Sequence, residues 1–248
     1  APRDLDAAVR ARYSEGASTR VEALCCPVDY DAQYLEVIPE EVVARDYGCG
    51  DPSQHVRPGE TVLDLGSGTG KICFIASQVV GAEGRVIGVD MNDDMLEVAR
   101  RNAPVVAERI GYDNVSFVKA RIEDLGLDRG ALDAWLGQHP VAGEADLARL
   151  EQHMASQRRD APAVADDSID VVVSNCVLNL VLPDAKPRLF REIHRVLRTG
   201  GRAVISDIVS DEAVPAHLQA DPELWSGCIS GALTESDLLR AFEEAGFD

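Results

Sequence analysis

The stretch Thr61-Val-Leu-Asp-Leu-Gly-Ser-Gly-Thr-Gly70 joins an apolar run to a glycine-rich turn, and a helical pattern follows at Lys71–Val80. β-Branched and apolar residues favour a strand, while the glycines let a ligand approach the backbone and the free N–H groups at the start of the helix. A dinucleotide-binding fingerprint would have its third glycine one residue after Gly70, and Asp64 at the strand end would repel a phosphate group. The stretch therefore predicts a strand, a ligand-binding loop and a helix, for a ligand other than a dinucleotide.

The alternation of short apolar runs and helical patterns continues beyond this stretch. Strands are predicted at Thr61–Leu65, Arg85–Asp90, Val115–Lys119, Ile169–Ser174 and Arg202–Asp207. Helices are predicted at Lys71–Val80, Asp93–Ile110 with a kink at Pro104, and Lys186–Leu197 with a stop at Gly200-Gly201. Strands that alternate with helices indicate an α/β fold with an open, mostly parallel sheet and helices on both faces.

Three regions lie outside this alternation. Between Leu127 and Asp167 the chain is longer than a usual connection, and its pattern predicts an inserted helical hairpin. Residues 1–60 are polar and are predicted to be irregular. The C-terminal segment is helical, with a near capping box at Thr234-Glu-Ser-Asp237 and Gly246 as its C-cap.

The composition excludes several classes of function. Among 248 residues, 43 acidic side chains outnumber 24 basic ones, which gives a formal net charge of −19. Such a charge repels nucleic-acid phosphates and anionic membrane surfaces. The sequence also contains no apolar run of membrane-spanning length and no signal-peptide pattern at its start. We therefore expect no nucleic-acid partner, no membrane partner and a cytoplasmic location.

The six cysteines are the candidates for chemistry. Without a signal peptide they indicate a reducing compartment with thiols kept for a reaction, although all six could instead be buried as small apolar residues. Ligands of open α/β sheets bind beyond the carboxyl ends of the strands, and Cys176 follows the fourth predicted strand at that edge. Cys49 and Cys228 lie in glycine-flanked loops, which are predicted to be exposed. Cys73 lies on an apolar helix face and is predicted in the core.

A second acidic residue, Asp90, ends the next predicted strand, where a carboxylate can accept hydrogen bonds from both hydroxyls of a ribose. The segment Arg121-Ile-Glu-Asp124 follows the third strand. With the glycine loop, these features make residues 56–208 resemble the Rossmann-like class I S-adenosylmethionine-dependent methyltransferases. The cofactor-binding residues expected on this basis are Asp64, Gly66, Ser67, Gly68, Asp90, Met91, Ile122, Glu123 and Asn175.

The resemblance also implies which part of the cofactor each of these residues contacts. The glycine loop would face its methionine part, Asp90 and Met91 the ribose, and Ile122 and Glu123 the adenine. Met91 and Ile122 have the alternative interpretation of ordinary packing residues.

Longer segments resemble one methyltransferase family closely, the arsenite methyltransferases. These segments are Leu24-Cys-Cys-Pro-Val-Asp-Tyr30, Asp46-Tyr-Gly-Cys-Gly-Asp-Pro52, Val89-Asp-Met-Asn92, Ser174-Asn-Cys-Val-Leu-Asn-Leu180 and Glu223-Leu-Trp-Ser-Gly-Cys-Ile-Ser-Gly-Ala232. The resemblance implies that arsenite, and then methylarsenite, is methylated with S-adenosylmethionine for arsenic detoxification, with the arsenic bound by Cys49, Cys176 and Cys228. It also implies a redox relay of Cys49 with Cys25 or Cys26, and an external thiol reductant, glutathione or a thioredoxin-type protein.

The resemblance divides the chain into three segments. Residues 1–55 form an N-terminal cysteine-bearing segment, residues 56–208 the cofactor-binding core, and residues 209–248 a C-terminal substrate-binding segment. The chain departs from the family in its insert at 127–167 and in ending at Asp248, where further strands would be expected. A C-terminally truncated chain would explain the second departure, and the sequence alone leaves that question open.

The chemistry of arsenic agrees with this resemblance independently. Soft trivalent arsenic prefers thiolate ligands, and arsenic bound by three thiolates keeps a lone pair that can attack a methyl group. That nucleophile has no proton to lose, and none of the five histidines has a clear base-like position at a strand end, with His55 left open. Two alternatives stay open, a methyltransferase of another small molecule whose cysteines are incidental, and a protein that binds arsenic or zinc without turnover.

Overall fold

A five-stranded sheet lies at the centre of the computed structural model, which describes residues 2–19, 28–45 and 47–248. Its strands are β1 (Thr61–Leu65), β2 (Arg85–Asp90), β3 (Val115–Lys119), β4 (Ile169–Asn175) and β5 (Leu197–Ser206). Their order is β3-β2-β1-β4-β5, and every neighbouring pair is parallel. The predicted α/β sheet is therefore confirmed, and the carboxyl ends of all its strands meet at one edge.

Helices precede, separate and follow the strands. They are α1 (Pro2–Ser18), α2 (Ala32–Leu35), α3 (Glu40–Ala44), α4 (Lys71–Val80), α5 (Asp93–Ile110), α6 (Arg129–Gln138), α7 (Glu144–Asp160), α8 (Lys186–Val196), α9 (Ala216–Gln219), α10 (Pro222–Ser226) and α11 (Glu235–Ala245). Pro104 lies inside α5, which continues through it to Ile110. Within the described ranges, no helix combines the length and the apolar character that crossing a membrane requires.

Buried side chains on the two faces of the sheet form two apolar clusters. Val62 and Leu63 belong to opposite clusters because successive side chains of a strand point to opposite faces. The cluster that contains Val62 also contains residues of α4 and α5, and the cluster that contains Leu63 includes residues of α8, with partly buried residues of α11 packed against it. Helices therefore cover both faces of the sheet, as the sequence predicts.

The beginning of β5 differs from the prediction. The strand starts at Leu197 rather than at Arg202, and α8 ends at Val196 because Leu197 is already extended. The register between β4 and β5 is irregular near Ile169, and Gly200 adopts a φ of 81° there. The Gly200-Gly201 pair, predicted as a helix stop, thus accommodates an irregularity inside the strand, where a side chain would be strained.

The prediction of an irregular segment at residues 1–60 is wrong for its first part, which forms α1. This helix packs against α5 and α10, and Val9 and Ala17 on it are buried. Leu5, Val9, Tyr13 and Ala17 recur every fourth residue, which puts them on one face of a helix. That spacing is the sequence signal for α1, although polar residues dominate the segment around it.

The insert is a helical hairpin, as predicted, and consists of α6 and α7. Arg158 of α7 donates to both carboxylate oxygens of Asp124, at 2.9 and 2.8 Å. Trp135 of α6 stacks between His139 and His153, with ring centroids 4.3 and 4.4 Å apart. None of the described residues of α7 is buried, so a bidentate ion pair and a ring stack secure this helix, whereas Leu132 of α6 and Val164 after α7 are buried apolar residues.

The predicted caps of the last helix are confirmed. The Thr234 hydroxyl accepts a hydrogen bond from the backbone N–H of Asp237 at 3.1 Å. Gly246 ends α11 with a φ of 106°, a conformation that favours glycine. Phe242 of this helix packs edge-on against Phe190 of α8, with ring centroids 4.8 Å apart, so the C-terminal segment shares the core of the sheet.

Cys73 lies in the core, as predicted, and its thiol donates to Asp64 Oδ2 at 3.2 Å. We expect Cys73→Ser to lower the free energy of unfolding by about 1 kcal/mol, because it buries a more polar and smaller group in a packed site. Urea denaturation of the purified protein measures this change. An unchanged denaturation midpoint would contradict a packing role for Cys73.

Candidate active site

The glycine loop after β1 is held in conformations that favour glycine. Gly66, Gly68 and Gly70 have φ values of 70°, 52° and 92°. The N–H groups of Gly66 and Ser67 donate to the carbonyl oxygen of Val89 at 2.8 and 3.0 Å, which turns the loop toward the end of β2. A Cβ on Gly68 would approach only the sulfur of Met95 at 4.0 Å among the described atoms, so this glycine leaves free space beside the loop.

Asp90 ties the glycine loop to the end of β2. Its Oδ2 accepts from the N–H of Gly68 at 2.9 Å, and its Oδ1 accepts from the N–H of Asn92 at 2.8 Å. Burial raises the pKa of the Asp90 carboxyl, while these backbone N–H groups act in the opposite direction. Each carboxylate oxygen has a second lone pair, so Asp90 can still accept hydrogen bonds from two ligand hydroxyls.

A cavity of about 1050 Å³, including open space at its mouth, lies over the carboxyl edge of the sheet. Every predicted cofactor residue lines it: Asp64, Gly66, Ser67, Gly68, Asp90, Met91, Ile122, Glu123 and Asn175. The Ser67 hydroxyl is buried and has no hydrogen-bond partner among the described residues. Because buried polar groups are normally paired, this hydroxyl indicates a polar ligand. Polar groups at the glycine loop and apolar walls farther out fit S-adenosylmethionine, whose polar and aromatic parts need both.

Helix α1 forms part of the cavity wall, a role that the sequence did not predict. Asp6 and Tyr13 line the cavity, and the Asp6 carboxylate pairs with Arg121 at 2.6 Å. Arg121 also pairs with Glu123 at 2.5 Å, and Asn92 donates to the hydroxyl of Ser14 at 3.1 Å. Polar contacts thus hold α1 against the loops that follow β2 and β3, two of the places where predicted cofactor residues lie.

The structure brings Cys49, Cys176 and Cys228 together at the same edge. The sulfurs of Cys49 and Cys176 lie directly against each other, and their Cα atoms are 5.8 Å apart. The thiol of Cys228 donates to the carbonyl oxygen of Cys176 at 2.9 Å. Cys176 also lines the cavity, so the three sulfurs lie beside the predicted cofactor site. Cys25 and Cys26, the predicted relay residues, lie outside the described residues.

Two of these cysteines have a backbone conformation that non-glycine residues rarely adopt. The φ values of Cys176 and Cys228 are 56° and 62°, and Asp167 is the only other non-glycine residue with a positive φ in the described part of the chain. Strained backbone of this kind clusters at functional sites. The shared strain therefore supports a role of these two residues in the chemistry of the site.

The surroundings of Cys228 differ from the prediction of an exposed loop. Its side chain is buried, and its sulfur lies 3.8 Å from the hydroxyl of Tyr13 on α1. Burial, with the nearby Asp207 carboxylate, raises the pKa of the Cys228 thiol to about 12. Burial also lowers the pKa of Lys186 to about 8, and this ammonium group donates to the carbonyl oxygen of Gly231 at 2.5 Å. The loop of Cys228 is therefore packed and hydrogen-bonded, and its thiol keeps its proton near neutral pH.

The comparisons with known proteins agree with this architecture. The parallel sheet, the glycine loop and the acid at the end of β2 define the class of S-adenosylmethionine-dependent methyltransferases. A family described as "Methyltransferase domain" matches residues 57–161 and 154–246. The chain belongs to this methyltransferase domain family.

The most similar relatives include arsenite methyltransferases, which confirms the predicted resemblance. The chain is 39% identical over 203 residues to that of Halobacterium salinarum, covering 81% of this chain and 41% of the relative. It is 38% identical to that of Aquipseudomonas alcaligenes, covering 86% of this chain and 51% of the relative. The solved structure of CrArsM, an arsenic(III) S-adenosylmethionine methyltransferase from Chlamydomonas reinhardtii, has a TM-score of 0.67 and 32% identity and covers 89% of this chain and 62% of that one. The chain spans about half the length of these curated relatives.

The position of Asp90 generates a prediction for cofactor binding. We expect Asp90→Ala to weaken the binding of S-adenosylmethionine by about tenfold or more, because two hydrogen bonds to a charged carboxylate are lost. Isothermal titration calorimetry measures the affinity. Asp94→Ala, which removes an exposed acid four residues away on α5, is the matched control and should bind as the wild type does. Equal affinities of the two variants would remove Asp90 from the cofactor site.

Proposed function

We propose that this chain contains the methyl-transfer centre of an enzyme that methylates trivalent arsenic, first arsenite and then methylarsenite, with S-adenosylmethionine. Cys49, Cys176 and Cys228 bind the arsenic, and the reaction serves arsenic detoxification. The observation that supports this most strongly is the meeting of three cysteines, distant in sequence, beside one cavity. The similarity to arsenite methyltransferases supports it independently.

The proposal assigns different tasks to the three segments. Residues 56–208 bind the cofactor, with Asp64 and Ser67 near its methionine part, Asp90 at the ribose, and the loop after β3 at the adenine. Residues 1–55 and 209–248 each supply a thiol for the substrate, and β4 supplies the third at its carboxyl end.

The thiol groups of the site can take up arsenite without a base. Arsenite, As(OH)₃, reacts with three thiols to give a trithiolate and three water molecules, so each thiol proton leaves with an arsenic hydroxide. The raised pKa of Cys228 is therefore no obstacle, since its proton is consumed in forming water. Soft arsenic favours these sulfur ligands over the nearby carboxylates.

Methyl transfer then depends on position. When bound, S-adenosylmethionine supplies an electrophilic methyl group on a sulfonium. The cysteines direct the arsenic lone pair toward the cavity, and the glycine loop and Asp90 hold the cofactor against it. Because the arsenic lone pair carries no proton, no general base is required, and none of the described residues that line the cavity is a histidine.

The site needs a reductant for two reasons. The three cysteines must be in the thiol form before the substrate binds, because a disulfide between any two of them would use sulfurs that the arsenic requires. After methyl transfer the arsenic is formally pentavalent, and a thiol pair that forms a disulfide returns two electrons to it. We propose that Cys49 with Cys25 or Cys26 provides these electrons, and that glutathione or a thioredoxin-type protein resets the pair.

One assay tests the proposal. The reduced protein is incubated with arsenite, a thiol reductant and S-adenosylmethionine. The arsenic species are then separated by chromatography and identified by mass spectrometry. The proposal is supported if methylated arsenic forms only when arsenite, the reductant and S-adenosylmethionine are all present. Arsenic bound without turnover, or methyl transfer to a carbon, oxygen or nitrogen acceptor only, would overturn it.

The three-thiolate site predicts a pattern among cysteine variants. We expect Cys49→Ser, Cys176→Ser and Cys228→Ser each to lower arsenite affinity and methylation rate, because two remaining ligands hold the arsenic weakly and misdirect its lone pair. Methylarsenite already has one bond to carbon and needs only two thiols, so its methylation should tolerate Cys49→Ser better than the other two changes. Cys73→Ser, whose sulfur lies in the core, is the matched control for methylation rate. Full activity of Cys176→Ser or Cys228→Ser would contradict the site.

A further inference from the structure

Asn175 contacts the loop of Cys49. Its side-chain oxygen accepts from the N–H groups of Cys49 and Gly50, at 2.7 and 3.1 Å. Its amide nitrogen donates to the carbonyl oxygen of Gly50 at 2.6 Å. A Cβ on Gly48 would collide with this amide, so the loop lies directly against it. The side chain thus holds a loop that comes from a segment 126 residues earlier in the chain.

Asn179 makes the corresponding contacts with the loop of Cys228. Its buried amide nitrogen donates to the carbonyl oxygens of Cys228 and Ile208, at 3.3 and 2.7 Å. It also donates to Asp207 Oδ1 at 2.8 Å, which fixes the amide from the side of β5. A Cβ on Gly231 would collide with the backbone oxygen of Asn179, so a glycine again allows close approach.

Both asparagines flank Cys176 in the short segment Asn175-Cys-Val-Leu-Asn179. We propose that these two asparagines are positioning residues that hold the loops of Cys49 and Cys228 against Cys176. The inference rests on the proposed function, because it assigns to the pair the assembly of that arsenic site. Since neither loop belongs to the sheet, side-chain amides that bond to the loop backbones hold the thiols in place before the substrate arrives.

An amide suits this task better than a carboxylate. At Asn175 the same group must accept from two N–H groups and donate to a carbonyl, which an amide can do and an ionised carboxylate cannot. At Asn179 an aspartate would put a second carboxylate against Asp207 and would lack the donor for the carbonyl of Cys228. The contacts therefore depend on asparagine at both positions.

This role changes the interpretation of Asn175. The sequence predicts it at the cofactor site, and it does line the cavity. Each of its side-chain hydrogen bonds within the described residues, however, goes to the loop of Cys49. A cofactor-binding residue and a positioning residue differ in which affinity they control, and this difference makes the proposal testable.

The test uses phenylarsine oxide, which binds two neighbouring thiols and releases its oxygen as water with the two thiol protons. All proteins are fully reduced and have serine at Cys25 and Cys26. Cys228→Ser leaves the pair of Cys49 and Cys176, and Cys49→Ser leaves the pair of Cys176 and Cys228. Asn175→Ala and Asn179→Ala are then introduced into each of these two proteins, and the affinities for phenylarsine oxide and for S-adenosylmethionine are measured.

We expect a crossed pattern. Asn175→Ala should weaken phenylarsine oxide binding about tenfold in the protein that keeps Cys49 and leave it nearly unchanged in the protein that keeps Cys228. Asn179→Ala should do the reverse, and neither change should alter the affinity for S-adenosylmethionine. Asn175→Asp, which keeps the oxygen that accepts from the Cys49 loop, should weaken binding less than Asn175→Ala.

Several outcomes would overturn the proposal. If either asparagine variant weakens phenylarsine oxide binding equally at both thiol pairs, the cause is a general loss of packing. If neither variant weakens it, the loops keep their positions without the asparagine side chains. Weaker cofactor binding by Asn175→Ala with unchanged phenylarsine oxide binding would make Asn175 a cofactor residue. Asn114→Ala removes an amide that bonds to Ser77 and Gly81 away from the site, and it controls for loss of stability.

The measurement separates this inference from the proposed function. Phenylarsine oxide binding needs only two adjacent thiols and no methyl transfer. A crossed pattern in a protein that does not methylate arsenite would support the positioning role and reject the activity. Arsenite methylation without the crossed pattern would support the activity and reject the positioning role.

Discussion

The pairing of β1 with β4 is the constraint on which the site depends. In this parallel pair Leu65 lies opposite Ser174, so the next residues along the chain, Gly66 and Asn175, lie side by side at the carboxyl edge of the sheet. The glycine loop and Cys176 are therefore neighbours because of the register of two strands. The strand order changes direction between β1 and β4, and such a point is where open α/β sheets leave a crevice for ligands.

The sheet secures the cofactor side of the site more directly than the thiol side. The glycine loop follows β1 and Asp90 ends β2, two strands whose backbones are bonded on both sides, whereas Cys49 and Cys228 come from loops outside the sheet. Those loops need other support. It comes from side-chain hydrogen bonds at the end of β4 and just after it, from the buried ammonium of Lys186 and from the contacts of α1. The backbone strain at Cys176 and Cys228 persists because this packing holds it.

Helix α1 connects the two sides. Asp6 reaches the loop of Glu123 through Arg121, and Tyr13, two turns farther along the helix, lies against the sulfur of Cys228. Arg12 donates to the carbonyl oxygen of Glu223 at 3.1 Å and so attaches the same helix to α10. One helix thus contacts both the predicted adenine side of the cavity and the loop of the third cysteine, which makes the N-terminal segment part of the site.

The sequence by itself determined the features that depend on neighbouring residues: four of the five strands to within a residue, the glycine loop, the acid at Asp90, the helical insert and the caps of α11. It did not determine the start of β5, because the irregularity at Gly200 exists only through pairing with β4. It also missed α1, whose apolar face is narrow and becomes buried only against α5 and α10. The burial of Cys228 and the contacts of Asn175 were decided by the tertiary structure alone. A hydrogen bond such as that between Asn175 and Cys49 joins residues 126 positions apart, and no local pattern of sequence specifies such a partner.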